Sequence, residues 1–144
     1  MLALLLKKDT LQLFVVRMRI DPRAPIITLE TKLVGEKGSC IVEAALDTGS
    51  TYSIAPRRIL RKLGYTLRTA REKAHITTAS GTEIVPVFVV KTIESAGLRK
   101  KNIKVACHDL PPQATVSVLL GLNFLRDAVT KLDLKRGVLE LNDP

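Results

Sequence analysis

The stretch of this sequence best suited to chemistry is Ala44-Ala45-Leu46-Asp47-Thr48-Gly49-Ser50. An apolar run delivers a carboxylate into a tight turn made of a hydroxyl residue, a glycine and a second hydroxyl residue. A carboxylate held in this way suits proton transfer, taking a proton from a bound molecule or giving one back. Cys107-His108-Asp109 sets a nucleophile, a base and an orienting acid in a row. Consecutive strand residues point to opposite faces, so these three cannot assemble as a triad by themselves. His75 and His108 each stand alone in strand-like runs and are expected to be surface or core histidines. The two cysteines, Cys40 and Cys107, are too few for a disulfide framework or a four-ligand zinc site. They read as small core side chains, and neither a metal site nor a cofactor is expected.

The elements that must position these residues are short β-prone runs broken by turn signals, with two helix-sized segments and no internal repeat. Leu11 to Ile20 reads as a strand ended by Asp21-Pro22 and Ala24-Pro25. Residues 26–34 and 40–46, joined by Gly35-Glu36-Lys37-Gly38, form a hairpin that runs into the Asp47 turn. A short strand over Tyr52–Ala55 precedes a helix with Pro56 at its first position, Ile59, Leu60 and Leu63 on one face and Gly64 as its C-terminal cap. Residues 74–79 and 82–90 flank a two-residue hairpin signal, Ser80-Gly81. Pro86 in the second arm favours an edge or a bulge over a central strand. The polar segment 95–101 and the Pro111-Pro112 turn bracket a strand at 102–107. Val116–Leu120 is a buried strand, a brief helix covers about 122–128, and Thr130–Leu134 pairs with Val138–Leu141.

Length and charge narrow the function classes. A chain of 144 residues makes one ordinary domain and leaves no room for a two-lobed enzyme or a separate cofactor domain. The formal net charge is +9, but it is spread evenly: 13 basic against 7 acidic residues in 1–72, and 10 against 7 in 73–144. With no Trp, two Tyr and three Phe, the chain lacks the aromatic platforms on which single-stranded nucleic acid stacks. Solvated faces are the expected use of the Lys and Arg residues, and nucleic acid is not the expected ligand. The opening MLALLLKK is too short for a signal-peptide core, and no apolar run approaches the ~20 residues of a membrane span. A soluble, cytoplasmic protein with no membrane partner is the default expectation.

Three features stand in a fixed order: LDTGS at 46–50, the hairpin TTASGTEI at 77–84, and LLGLNFL at 119–125 followed by a strand-forming tail. On these, the chain resembles the retropepsin-like aspartic proteases, single-domain relatives of the retroviral proteases, and within them the cellular and prokaryotic branch. The resemblance covers roughly residues 26–142. It implies a mostly β, single-lobe closed barrel with one or two short helices, assembled as a two-fold homodimer. Residues 26–144 would form the protease domain, and residues 1–25 an N-terminal extension serving as a strand, a dimer arm or a self-cleaved leader. The implied activity is that of an aspartic endopeptidase acting on peptides or unfolded proteins, with Asp47 as the catalytic residue. Thr48 would lock the two turns across the axis, Gly49 would let backbone and substrate approach, and the Ser50 hydroxyl would bond the carboxylate's outer oxygen. Ala79, Ser80, Gly81 and Thr82 would form a flap over the substrate, and Gly121 would allow close packing behind the Asp47 turn.

Physical reasoning supports carrying these roles over. Hydrolysing a peptide without a metal or a covalent intermediate needs one carboxylate to take a proton from water and another to protonate or polarise the carbonyl. Two carboxyls about 3 Å apart cannot both ionise, so they share a proton and titrate as a coupled pair. This sequence has a single Asp-Thr-Gly. Asp109, Asp127 and Asp133 are not followed by a hydroxyl–glycine turn. A homodimer with Asp47 and its mate on the axis is the simplest source of the pair. The retroviral ion pair flanking the site is absent at both ends, its positions being Thr51 and Leu122, so no orphan charge is left. An aliphatic lining predicts apolar preference near the scissile bond. A catalytically idle dimeric module that binds peptides is the alternative, and a basic nucleic-acid-binding β domain is a third reading.

Overall fold

The structure is a computed structural model that describes residues 3–8 and 13–142, with side chains over 15–142. Eleven strands and two short α-helices follow one another along the described chain. Strand β1 (Ala3–Lys8) pairs antiparallel with β2 (Leu13–Arg19). β3 (Thr28–Val34) and β4 (Ser39–Leu46) form the expected hairpin, and β4 delivers the Asp47 turn. β5 (Ser53–Ala55) leads into α1 (Arg57–Lys62). The long ribbon β6 (Glu72–Thr78), β7 (Gly81–Ser95) and β8 (Leu98–Cys107) comes next. β9 (Val118–Leu120), α2 (Leu122–Leu125), β10 (Val129–Asp133) and β11 (Val138–Asn142) end the described chain.

Two sheets result. The larger has the order β3-β4-β9-β5-β8-β7-β6, and an extra β3–β7 pairing closes its first six strands into a barrel. At that closure Thr31 faces Ser95. Both are buried: Thr31 Oγ1 lies 3.0 Å from the Leu29 carbonyl and 3.1 Å from Ser95 Oγ, and Ser95 Oγ donates to the Glu30 carbonyl at 3.0 Å. A buried hydroxyl without a partner costs about 1–3 kcal/mol, so mutual satisfaction is what allows polar residues at the seam. The core inside is aliphatic. Leu29 and Leu33 point inward from β3, Val90 and Ile93 of β7 are fully buried, and Phe124 from α2 is enclosed in the same core.

The smaller sheet runs β1-β2-β11-β10 and packs on the same core through Met18, Leu139 and Leu141. The N-terminal 25 residues thus contain two strands, and β2 pairs with β11 of its own chain. The two sheets meet at the β7–β8 turn. Ala96 (φ 51°) and Gly97 (φ 79°) both adopt left-handed backbone, the conformation of a type I′ hairpin whose twist matches its strands. A Cβ on Gly97 would strike Val16 Cγ2 of β2. Gly97→Ala is therefore expected to lower stability by about 1–3 kcal/mol. Adding Val16→Ala should return part of the loss, a coupling that urea melts of the single and double variants would measure.

Several boundaries differ from the sequence reading, each for a local reason. The polar segment 95–101 is not a loop: β7 runs to Ser95 and β8 begins at Leu98, because Ala96-Gly97 turns the chain in two residues. The β6–β7 connection is Ala79-Ser80, one residue earlier than expected, and Gly81 is the first strand residue, with φ +126°. Pro86 lies inside β7, opposite Lys73, but β8 pairs with β7 only from Val87 onward. Its missing N–H therefore faces no neighbouring strand. Pro56 is the N-cap of α1 rather than its first residue, and α2 stops at Leu125, with Asp127 at φ 67°. Among the described residues no helix is long and apolar enough to cross a membrane.

Candidate active site

Asp47 follows the last residue of β4, where the chain must leave the barrel. Its backbone N–H donates to the Leu120 carbonyl at 2.9 Å, extending the parallel β4–β9 pairing by one step. Its Oδ1 accepts the Gly49 N–H at 2.9 Å, closing an Asx-type turn that fixes the carboxylate. The half-buried carboxylate opens on a cleft of about 890 Å³.

β9 and α2 hold this turn from behind. Leu122 N–H donates to the Ser50 carbonyl at 2.8 Å and Asn123 N–H to the Thr51 carbonyl at 3.2 Å. Gly121 lies against the same loop, where a Cβ would sit 2.6 Å from the Tyr52 carbonyl carbon and 2.7 Å from Ser50 O. Its N–H donates to the buried Ser53 Oγ at 3.1 Å. Asn123 ties the support together. Its Oδ1 accepts the Ser53 N–H at 2.8 Å and Ser53 Oγ at 3.0 Å, and its Nδ2 donates to the Lys104 carbonyl at 2.6 Å. Sequence reasoning quoted Asn123 inside LLGLNFL without giving it a role. A single amide in an otherwise apolar run was the available signal, since such a group is retained where it has partners. Asn123→Leu leaves three groups unpaired and is expected to cost about 2–4 kcal/mol, read as a fall in thermal midpoint.

The roof is the β6–β7 ribbon beyond Val87, where β7 has β6 on one side and no strand on the other. Ala79 and Ser80 line the cleft, while Gly81 and Thr82 lie at the ribbon's exposed tip outside the lining. Thr78 Oγ1 lies 3.1 Å from Ser80 Oγ and donates to the Gly81 carbonyl at 3.0 Å, stiffening that tip. A second, smaller core of Ile54, Ala74, Val85, Val87 and Ala106 lies beneath the ribbon's root.

Side chains around the turn differ in exposure and partners. Thr48 is exposed at the turn's apex and outside the cleft lining. The Ser50 hydroxyl donates to the Tyr52 carbonyl at 2.6 Å rather than to the carboxylate, which already has the Gly49 N–H. His75 and His108 both line the cleft, and His108 Nδ1 stands 3.5 Å from Glu83 Oε2. The lining is not simply aliphatic: Ile54, Ile76, Leu110 and Leu119 share it with Glu83, Asp109 and several hydroxyls. Cys107-His108-Asp109 is split at the end of β8, whose last residue is Cys107. His108 and Asp109 face the cleft, whereas Cys107 lines a separate cavity with Arg57 and Phe88. Burial, and then the negative charge of Asp109, push the Cys107 thiol above its ordinary pKa, so it is a poor nucleophile. Among the described residues no group of three His, Cys, Asp or Glu side chains could hold a metal ion.

The family model described as gag-polyprotein putative aspartyl protease matches residues 36–127, a span that contains the Asp47 turn, the ribbon and the Gly121 segment. The chain belongs to this family. Its fold is similar to the crystal structure of a retropepsin-like aspartic protease from Rickettsia conorii, with a TM-score of 0.67 and 19% identity over 95% of this chain and 96% of that one. No curated protein matches the sequence. In this aspartyl-protease family member the retropepsin-like barrel therefore holds along nearly the whole chain.

Proposed function

We propose that the protein is an aspartic endopeptidase working as a two-fold homodimer, with Asp47 of each protomer forming one catalytic pair. The observation that carries this reading is the Asp47 carboxylate, held by the Gly49 N–H while the Asp47 backbone N–H donates to the Leu120 carbonyl, opening on a peptide-sized cleft beneath an overhanging ribbon. An extended peptide or unfolded chain would lie in that cleft. One Asp47 takes a proton from a bound water as its oxygen attacks the scissile carbonyl carbon. The other gives its proton to the carbonyl oxygen, and the tetrahedral intermediate then collapses with proton transfer to the leaving nitrogen and C–N cleavage. Thr48, exposed at the apex, would meet its symmetry mate, Gly121 would support the turn, and Ala79, Ser80, Gly81 and Thr82 would close as a flap to exclude water. The free thiols Cys40 and Cys107 suit a reducing cytoplasm.

Asp109 and Glu83 also line the cleft, but neither sits on a hydroxyl–glycine turn, so the pair is assigned across two chains. Mixing parent with the Asp47→Asn chain tests this. After subunit exchange, an equal mixture leaves about a quarter of all dimers with two intact Asp47 groups, so activity per parent chain should fall to about half. Activity per parent chain that stays constant would put the whole reaction inside one chain, and a strict monomer in sedimentation would leave Asp47 without its partner.

A further inference from the structure

The charge of the cleft is opposite to that of the molecule. The chain carries 23 Lys and Arg against 14 Asp and Glu. Yet among the described residues the cleft is lined by three carboxylates, Asp47, Glu83 and Asp109, by His75 and His108, and by no Lys or Arg. Resting on the cleft's reading as a peptide-binding site, we infer that it selects substrates carrying a Lys or Arg side chain, and that Glu83 is the residue that determines this specificity.

Glu83 has the geometry for the role. Along β7 it shares a face with Val85 and Val87, which are buried against the barrel, whereas Ile84 points outward and is largely exposed. Its side chain therefore projects into the cleft, and at 47% exposure it remains reachable. Its neighbour is His108 Nδ1 at 3.5 Å, a partner that carries charge only when protonated. A substrate ammonium or guanidinium is always charged near neutral pH, so it replaces the imidazole as the stronger partner. Exposed Asp109, on the loop after β8, adds a second attraction. An acidic side chain at the same position meets two carboxylates and is rejected, so preference and exclusion come from the same pair. The basic outer surface repels a cationic segment, which leaves the acidic cleft as the place where such a segment is held.

Binding to the Asp47→Asn chain separates this inference from turnover. Fluorescent peptides identical except for one position, carrying Lys, Arg, Gln, norleucine or Glu and scanned along the cleft, would be titrated by anisotropy near neutral pH. The Lys and Arg peptides should bind about tenfold tighter than the Gln peptide, with the difference shrinking as salt is raised. Glu83→Gln on this background should remove the preference and leave the Gln peptide unchanged, and Glu83→Lys should reverse it toward the Glu peptide. Equal binding of all peptides, no binding of any, or a Lys preference that survives Glu83→Gln overturns the inference. Preferential binding with no cleavage by the Asp47-intact chain would instead sink the protease reading and leave the cationic subsite standing.

Discussion

Replacing Asp47 with Asn is expected to abolish peptide hydrolysis, lowering kcat/KM by a factor of about 1,000 or more, while the fold persists. The substitution is nearly isosteric. The amide oxygen can still accept the Gly49 N–H, now made at 2.9 Å, and the backbone bond to Leu120 is untouched. Thermal stability should accordingly change by less than about 1 kcal/mol. In the proposed homodimer, chemistry is lost because the change strikes both members of the pair. Neither the base that takes a proton from water nor the acid that protonates the carbonyl oxygen remains, and proton transfer of this kind contributes about 10²–10⁴-fold. KM should move little, because the rest of the cleft still holds the substrate. Progress curves on an unfolded protein substrate from acid to neutral pH would check this. Parent-like cleavage by the Asn chain at any pH in that range would end the assignment, whereas a melting temperature that collapses would show a structural role for Asp47.

How far the sequence announces this arrangement depends on how local each feature is. The Asp47 turn, the Gly121 segment and the β6–β7 ribbon were legible because each is written in contiguous residues with turn chemistry of its own. The β3–β4 hairpin was legible for the same reason, with Gly35 and Gly38 marking its connection. The barrel itself was not legible from residues alone. Its parallel pairings, β4 with β9 and β5 with β8, join strands far apart in the chain, and no local period encodes which runs will meet. A closed barrel was expected only through the resemblance carried by LDTGS, TTASGTEI and LLGLNFL, and these pairings were not anticipated. Ala96-Gly97 escaped notice because alanine is an unusual residue for left-handed backbone, so the turn resembled part of a polar segment. Glu83, His108 and Asn123 were missed for a related reason. Each has a partner fixed by tertiary structure: Glu83 lies beside His108, and Asn123 bonds Ser53 and the Lys104 carbonyl.

Gly121→Ala should be the most damaging single-methyl change in the site. The residue's backbone, at φ −90° and ψ −173°, is open to any amino acid, so the glycine is needed for space and not for conformation. An added Cβ would meet the Tyr52 carbonyl oxygen inside contact distance, with Tyr52 C at 2.6 Å and Ser50 O at 2.7 Å. All three are backbone atoms, so no side-chain rotation relieves the clash. The loop can retreat only by stretching the bonds from Leu122 N–H to Ser50 O and from Asn123 N–H to Thr51 O. The position is buried, and overpacking with weakened hydrogen bonds should together cost about 3 kcal/mol. The thermal midpoint would then fall by about 10 °C. Activity of the folded fraction should drop further than stability alone explains. Displacing residues 50–52 shifts the Asp47 carboxylate from the position the proposed pair requires, and a misplacement of about 1 Å costs on the order of 100-fold in rate. Gly49→Ala makes a useful contrast, since its Cβ would lie 3.2 Å from Asp47 Oδ1 at an exposed position and disturb no backbone support. A Gly121→Ala chain that melts within about 2 °C of the parent and cleaves at the parent rate would show that β9 and α2 do not hold the catalytic turn in place.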